Sequence, residues 1–198
     1  MAAGKLSPRQ KMINLMYLVF IAMLAMNMSK EVLQAFGLMD EKLVSANAAA
    51  TKRNNLSYDD LKLKAVEQSE KYADEKAKAE KIKKLSDDYY NYIENLKNEM
   101  KATVDDPTDY ETMDKGTFLD DKFFKGDDGV YQEEGEAFLS NMTNYGSQIN
   151  SILGPEFKNV SADIASRFST DKVTDREGKE RFWLDYNYKG FPLVASLT

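Results

Sequence analysis

Residues 12–28, MINLMYLVFIAMLAMNM, carry no charged side chain, and Lys5, Arg9 and Lys11 precede them while Lys30 follows. A hydrocarbon layer takes about 20 helical residues to cross, so the run reads as one short membrane-spanning helix that draws its flanks toward the bilayer. Arg9 is the residue most affected. At about 1.5 Å per residue the helix from Arg9 to Asn27 is about 27 Å long, which puts the guanidinium at the inner edge of the hydrocarbon. There it can snorkel or pair with a partner's carboxylate. A cleaved signal peptide has the same order of basic, apolar and small residues, but Asn14 interrupts this core and no clean Ala-x-Ala follows it. A buried soluble helix is disfavoured because nothing else in the chain is apolar enough to wrap it on all sides. Three basic residues ahead of the span make residues 1–11 a cytoplasmic tail, 12–29 the membrane helix and 30–198 an external domain.

Composition agrees with that layout. All four charges in residues 1–30 are basic, so the remainder holds 33 acidic against 23 basic residues, a balance that argues against nucleic acid and against docking on anionic lipid. Cysteine and histidine are both absent. The chain thus lacks thiol chemistry, the usual general base near neutral pH and the commonest metal ligand. No nucleophile triad, Gly-rich phosphate loop or zinc spacing can be assembled, and no enzymatic activity or cofactor is expected.

Beyond the span, Val32, Leu33, Phe36, Met39 and Leu43 recur at helical spacing, so the membrane helix is expected to continue outward as a stiff rod. A break is expected near Arg53-Asn54-Asn55, with Ser57 capping the next helix. That helix should run from Leu61 to about Met100, a stretch without Gly or Pro. Residues 104–129, rich in Gly and Asp, read as an ordered irregular connection around Phe118, Phe123 and Phe124. The run Gly126-Asp127-Asp128-Gly129 lacks the alternation and terminal Glu of a calcium loop. Helices are expected over 133–153 and 157–168, a short extended piece over 182–188, and a final helix that Pro192 starts. The expected fold is therefore all-α: a membrane helix continuing into a helical bundle. The helical pattern still running at Thr198 suggests that a longer natural chain continues. Tyr89, Tyr90 and Tyr92 could form a ligand box, but their spacing suits the core and rim of a bundle better.

At about 100° per residue, Arg9, Ile13, Met16, Phe20, Met23 and Asn27 form one stripe of the span, and Ser7, Lys11, Asn14, Leu18, Ala22, Ala25 and Ser29 the opposite one. Both stripes carry polar residues that lipid would not favour, so the helix is expected to contact protein on two sides. Lys11, Asn14, Tyr17, Phe20 and Asn27 are candidates for contact with a second membrane protein. Ala22, Ala25 and Ser29, being small, are candidates for the contact between two copies. Arg9 is the candidate for an intramembrane ion pair.

The opening KLSPRQKMINLMYLVFIAMLAMNMSKEVLQAF, together with WLDYNYKGFPLVASLT near the end, resembles the GldM (PorM) family of the type IX secretion and gliding apparatus. The resemblance covers the whole chain. It implies an inner-membrane protein with one N-terminal span, several elongated periplasmic domains and a homodimeric state, of which this chain holds the span and the first domain. It also implies a motor in which GldL-like polytopic subunits surround two such helices and use the proton-motive force to drive secretion and gliding. The family's basic residue at the start of the span corresponds to Arg9. Contacts with outer-membrane-associated components belong, in the family, to later domains absent here.

The residues reach a similar place independently. A short tail, one span and a large outer part is also the layout of energiser subunits similar to MotB, ExbD and TolR, which carry a membrane aspartate. This span has no carboxylate. If protons move, the titrating group belongs to the partner, and Arg9, which does not deprotonate, serves as its fixed counter-charge. The competing expectation is a passive bitopic anchor, or a periplasmic scaffold or sensor domain with no role in energy coupling.

Overall fold

The computed structural model describes residues 7–26 and 30–198, the side chains of 24–26 excepted. The first helix, α1 (Pro8–Met26), starts as its sequence demands. Ser7 Oγ accepts from the Gln10 N–H at 3.3 Å, Ser7 O accepts from the Lys11 N–H at 3.0 Å, and Pro8 has no N–H to leave unpaired. Among the described residues no helix is long and apolar enough to cross a membrane.

The next helix, α2 (Lys30–Glu67), has 38 residues. The break expected at Arg53-Asn54-Asn55 does not occur: α2 runs through it, and Ser57 lies inside the helix. Asn and Ser cost only a few tenths of a kcal/mol each in a helix interior, which a segment anchored on both sides absorbs. The chain turns instead at Gln68 (φ −134°, ψ 62°) and returns as α3 (Ser69–Lys101). This turn falls within the stretch expected to be one helix and contains neither Gly nor Pro. It is imposed by pairing at the far end, where Leu33 and Met100 share a core and Asp40 bonds Lys97, so that α2 and α3 form an antiparallel hairpin.

The remaining elements are small and gather at the open end of that hairpin. A 3-10 turn (Tyr110–Thr112) and α4 (Thr117–Phe123) order part of the segment expected to be irregular. Phe123 and Phe124, around which that segment was expected to organise, are buried there. Helix α5 (Glu133–Ile152) ends just before Gly154-Pro155, as expected, and α6 (Lys158–Arg167) follows a 3-10 turn. A two-residue ribbon, β1 (Val173–Thr174) with β2 (Glu180–Arg181), pairs antiparallel around Gly178 at φ +80°. Residues 182–188 are not extended: Trp183–Tyr188 form helix α7. There Leu184 and Tyr188, four residues apart, both join the core, and helical spacing wins over a weak alternation. Helix α8 (Leu193–Leu197) follows with Pro192 as its N-cap rather than its first residue.

The result is an all-α domain whose core is formed by Leu33, Met100, Leu119, Phe123, Leu184, Val194 and their neighbours. Among the described residues, none of α1 belongs to it. A smaller cluster sits further up α3, where Tyr89 stacks on Tyr145 of α5 at 4.6 Å and Phe168 meets Tyr145 edge-on at 4.8 Å.

Candidate functional site

Among the described side chains of α1, those of Pro8 to Met23, none is turned inward. Leu15, Leu18, Phe20 and Ile21 point in different directions around it, yet each is 60–66% exposed. A helix apolar all round is ordinarily wrapped by lipid or protein. Arg9, Lys11, Asn14, Tyr17, Phe20 and Ala22 are all exposed, and Ala25 lies within α1. Asn27 and Ser29 fall outside the described residues. Arg9 and Lys11 occupy the N-terminal end, where the helix carries its positive partial charge and no acidic residue compensates it. An external carboxylate at that end would meet both the guanidinium and the helix dipole.

The start of α2 is gripped from several sides. Lys30 Nζ donates to Glu111 Oε2 at 2.8 Å, which raises the lysine pKa above its ordinary value. Gly37 lies flat against the Tyr110 ring, where a Cβ would come within 2.1 Å of a ring carbon. Tyr110 OH donates to Glu41 Oε1 at 3.0 Å, and Lys97 Nζ donates to Asp40 Oδ1 at 3.0 Å. Asp40 is 5% exposed, so the pair is sealed between the helices. On the other side the Thr198 hydroxyl, which is nearer to Val194 O at 3.0 Å, also lies 3.4 Å from Phe36 O, placing the chain after α8 beside the second turn of α2.

Above Asp40 the two arms of the hairpin separate around an open slot of about 1500 Å³. Val44, Asn47, Thr51 and Asn54 of α2 face Lys83, Ser86, Tyr90 and Glu94 of α3 across it. The arms close again near the turn, where Ala65 is buried. Tyr90 therefore does not join Tyr89 and Tyr92 in one box. It is 56% exposed and faces α2, whereas the other two face α5.

A third feature fastens the loop between α4 and α5. Asp185 accepts from Tyr131 OH at 2.6 Å and from the Gly129 N–H at 3.3 Å. Lys189 Nζ donates to Gly126 O at 2.9 Å and to Asp128 Oδ1 at 2.8 Å. Burial, followed by the bond to Asp185, raises the Tyr131 pKa, while the Lys189 bond holds Asp128 below the usual carboxylate range. Gly126 and Gly129, at φ +91° and +78°, supply the backbone that the loop needs. Among the described residues no acidic cluster is arranged to hold a metal ion.

Asp40 and Gly37 escaped the sequence reading, although a signal was present. Both fall on the stripe that Leu33 starts, and a lone Gly inside a helical pattern marks a close approach. Asp185 gave no comparable signal, since its burial depends on a loop more than fifty residues away.

A long hairpin clamped at its base, a small helical body and an exposed apolar helix ahead of them define an all-α domain built on a helical hairpin. The chain belongs to the GldM family, its residues 31–198 matching the GldM N-terminal domain. That family is a component of the gliding and type IX secretion machinery. No curated protein matches the chain.

Proposed function

We propose that the chain is the membrane-anchored, first periplasmic part of a motor subunit driven by the proton-motive force. In this reading residues 1–11 are cytoplasmic, 12–29 cross the inner membrane and 30–198 form the first periplasmic domain. The subunit is a homodimer whose membrane helices meet along Ala22, Ala25 and Ser29. A GldL-like polytopic partner surrounds them and touches Lys11, Asn14, Tyr17, Phe20 and Asn27. Arg9 pairs with a partner carboxylate at the cytoplasmic edge. Later domains would hand the motion to outer-membrane-associated secretion and gliding components. The observation that carries the reading is the order of parts: a helix apolar on every side, basic only at its start, immediately ahead of a GldM N-terminal domain.

Arg9 provides the test. Arg9→Ala leaves Lys5 and Lys11 to orient the helix but removes the counter-charge, and Arg9→Lys keeps the charge but loses the planar fork. Arg9→Ala should abolish gliding and secretion at normal membrane level and normal partner pull-down, with Arg9→Lys intermediate. Wild-type activity in Arg9→Ala would leave a passive anchor.

A further inference from the structure

The slot inside the hairpin is the larger opening, but the smaller crevice between α3 and α5 has the more selective chemistry. It is an open groove of about 230 Å³, with Asp88, Asn141 and Gln148 at its solvent-exposed rim. Each helix contributes one face to it, at positions i, i+3, i+4 and i+7, running from Leu85 on α3 and from Asn141 on α5. The Tyr89–Tyr145 stack consumes the ring faces, and Tyr145 OH is engaged with Ser86 Oγ at 2.9 Å. What remains for a ligand is the set of polar groups without a partner in the protein. The Tyr89 and Tyr92 hydroxyls, the carboxamides of Asn141 and Gln148 and the carboxylate of Asp88 all line the crevice. None of them bonds to another described residue, whereas Asn144 is already tied to Ser140 Oγ at 3.1 Å. Burial around Tyr89 is deep enough to push its pKa up to about 12, so its hydroxyl stays a neutral donor at any physiological pH.

The composition of this set selects its ligand. No lysine or arginine lines the crevice, and Asp88 repels anions, so phosphates and carboxylates are excluded. One carboxylate is too few to dehydrate a divalent cation, which takes six or more oxygen ligands. Hydroxyls and carboxamides act as donors and acceptors together, and Leu85 with the tyrosine edges supplies apolar contact for C–H groups. At about 30 Å³ per water, the space equals roughly eight waters, enough for one six-membered polyhydroxylated ring and below the size of drug-like ligand pockets.

We propose that the α3–α5 crevice binds a single neutral sugar ring, either as a free monosaccharide or as one unit of a glycan chain. Asp88 and Gln148 grip ring hydroxyls from opposite helices, and Asn141 sets orientation. The site is independent of the membrane reading, since it lies wholly between α3 and α5.

The experiment is saturation-transfer NMR and calorimetry on the full chain in detergent. The probes are methyl glucoside, N-acetylglucosamine and a linear tetramer of N-acetylglucosamine, with choline as the cationic comparison. At least one sugar should bind with a millimolar or better Kd. Asp88→Ala and Asn141→Ala, both at exposed positions, should weaken it at least tenfold, while Tyr90→Ala in the slot leaves it unchanged. Tighter binding of the tetramer than of the single rings would mark a glycan as the source, and equal binding a free sugar. Three outcomes overturn the proposal: no sugar binding at tens of millimolar, binding indifferent to both crevice substitutions, or binding of choline alone.

Discussion

Asp40 and Lys97 meet at 3.0 Å across the base of the hairpin, their side chains only 7% and 21% exposed. Removing one partner strands the other charge. Lys97→Leu should cost about 3 kcal/mol by leaving the Asp40 carboxylate uncompensated, whereas adding Asp40→Leu to it should recover most of the loss, and Asp40→Leu alone completes the cycle. Urea unfolding of the four species gives the coupling directly, and additive costs would show that the pair contributes nothing.

Gly37 and Tyr110 form a second joint. A Cβ at position 37 would overlap the ring, so Gly37→Ala must expel Tyr110 and break its bond to Glu41. The expected loss is about 2 kcal/mol. Combining it with Tyr110→Ala should cost less than the sum of the two, because the obstructing ring is then gone. A sum equal to the separate losses would mean that the ring is free to move aside.

Helix continuity through Arg53-Asn54-Asn55 can be tested with proline. Were the chain broken there, Asn54→Pro would be harmless. In an unbroken α2 it removes an interior hydrogen bond and clashes with the preceding turn, a cost of about 3 kcal/mol or more. Circular dichroism together with the thermal midpoint separates the two outcomes.

Alkaline pH should weaken the domain through its tyrosines. Burial pushes Tyr89 from the usual value near 10 up to about 12, and Tyr131 is raised as well. A raised folded pKa means that the unfolded chain loses its proton first. Stability from these groups is therefore complete below about pH 10 and falls as pH climbs from 10 toward 12. Denaturant midpoints should be flat from pH 7 to 9 and drop above 10, with a smaller drop in Tyr89→Phe.

The absence of native cysteine allows the proposed membrane-helix dimer to be probed cleanly. Ala22→Cys and Ala25→Cys should form disulfide-linked dimers in membranes under mild oxidation, while Ile13→Cys on the opposite stripe should not. Equal cross-linking at all three positions would remove that face as the contact.

The long elements were legible because their spacing is local. The apolar positions of α5 announced their helix within a residue at either end, and Gly154-Pro155 marked where it stops. The hairpin turn was not legible. Asn54 and Ser57 looked like punctuation, while Gln68 looked like helix; the outcome was decided by contacts at Leu33 and Asp40 that no local window contains. Helix α7 was misread for a related reason, since Leu184 and Tyr188 satisfy either period weakly and only the core they enter chooses between them. The α3–α5 crevice was half legible: Tyr89 and Tyr92 drew notice as a group, but Asn141 and Gln148 became part of the same site only once α5 lay against α3.

The open slot also has a mechanical meaning. Between the clamp at Asp40 and the half-buried Tyr58, α2 runs about 27 Å along the open slot, a beam supported at both ends with clearance toward α3. Axial load entering at Lys30 meets two parallel paths, one across the Asp40–Lys97, Gly37–Tyr110 and Phe36–Thr198 joints at the base, the other along the beam to Gln68 and back down α3. Bowing of the beam makes the second path compliant. The stiff path is the short one: a pull on Lys30 is resisted first by the joints at the base of α2, and the upper hairpin is the more compliant of the two.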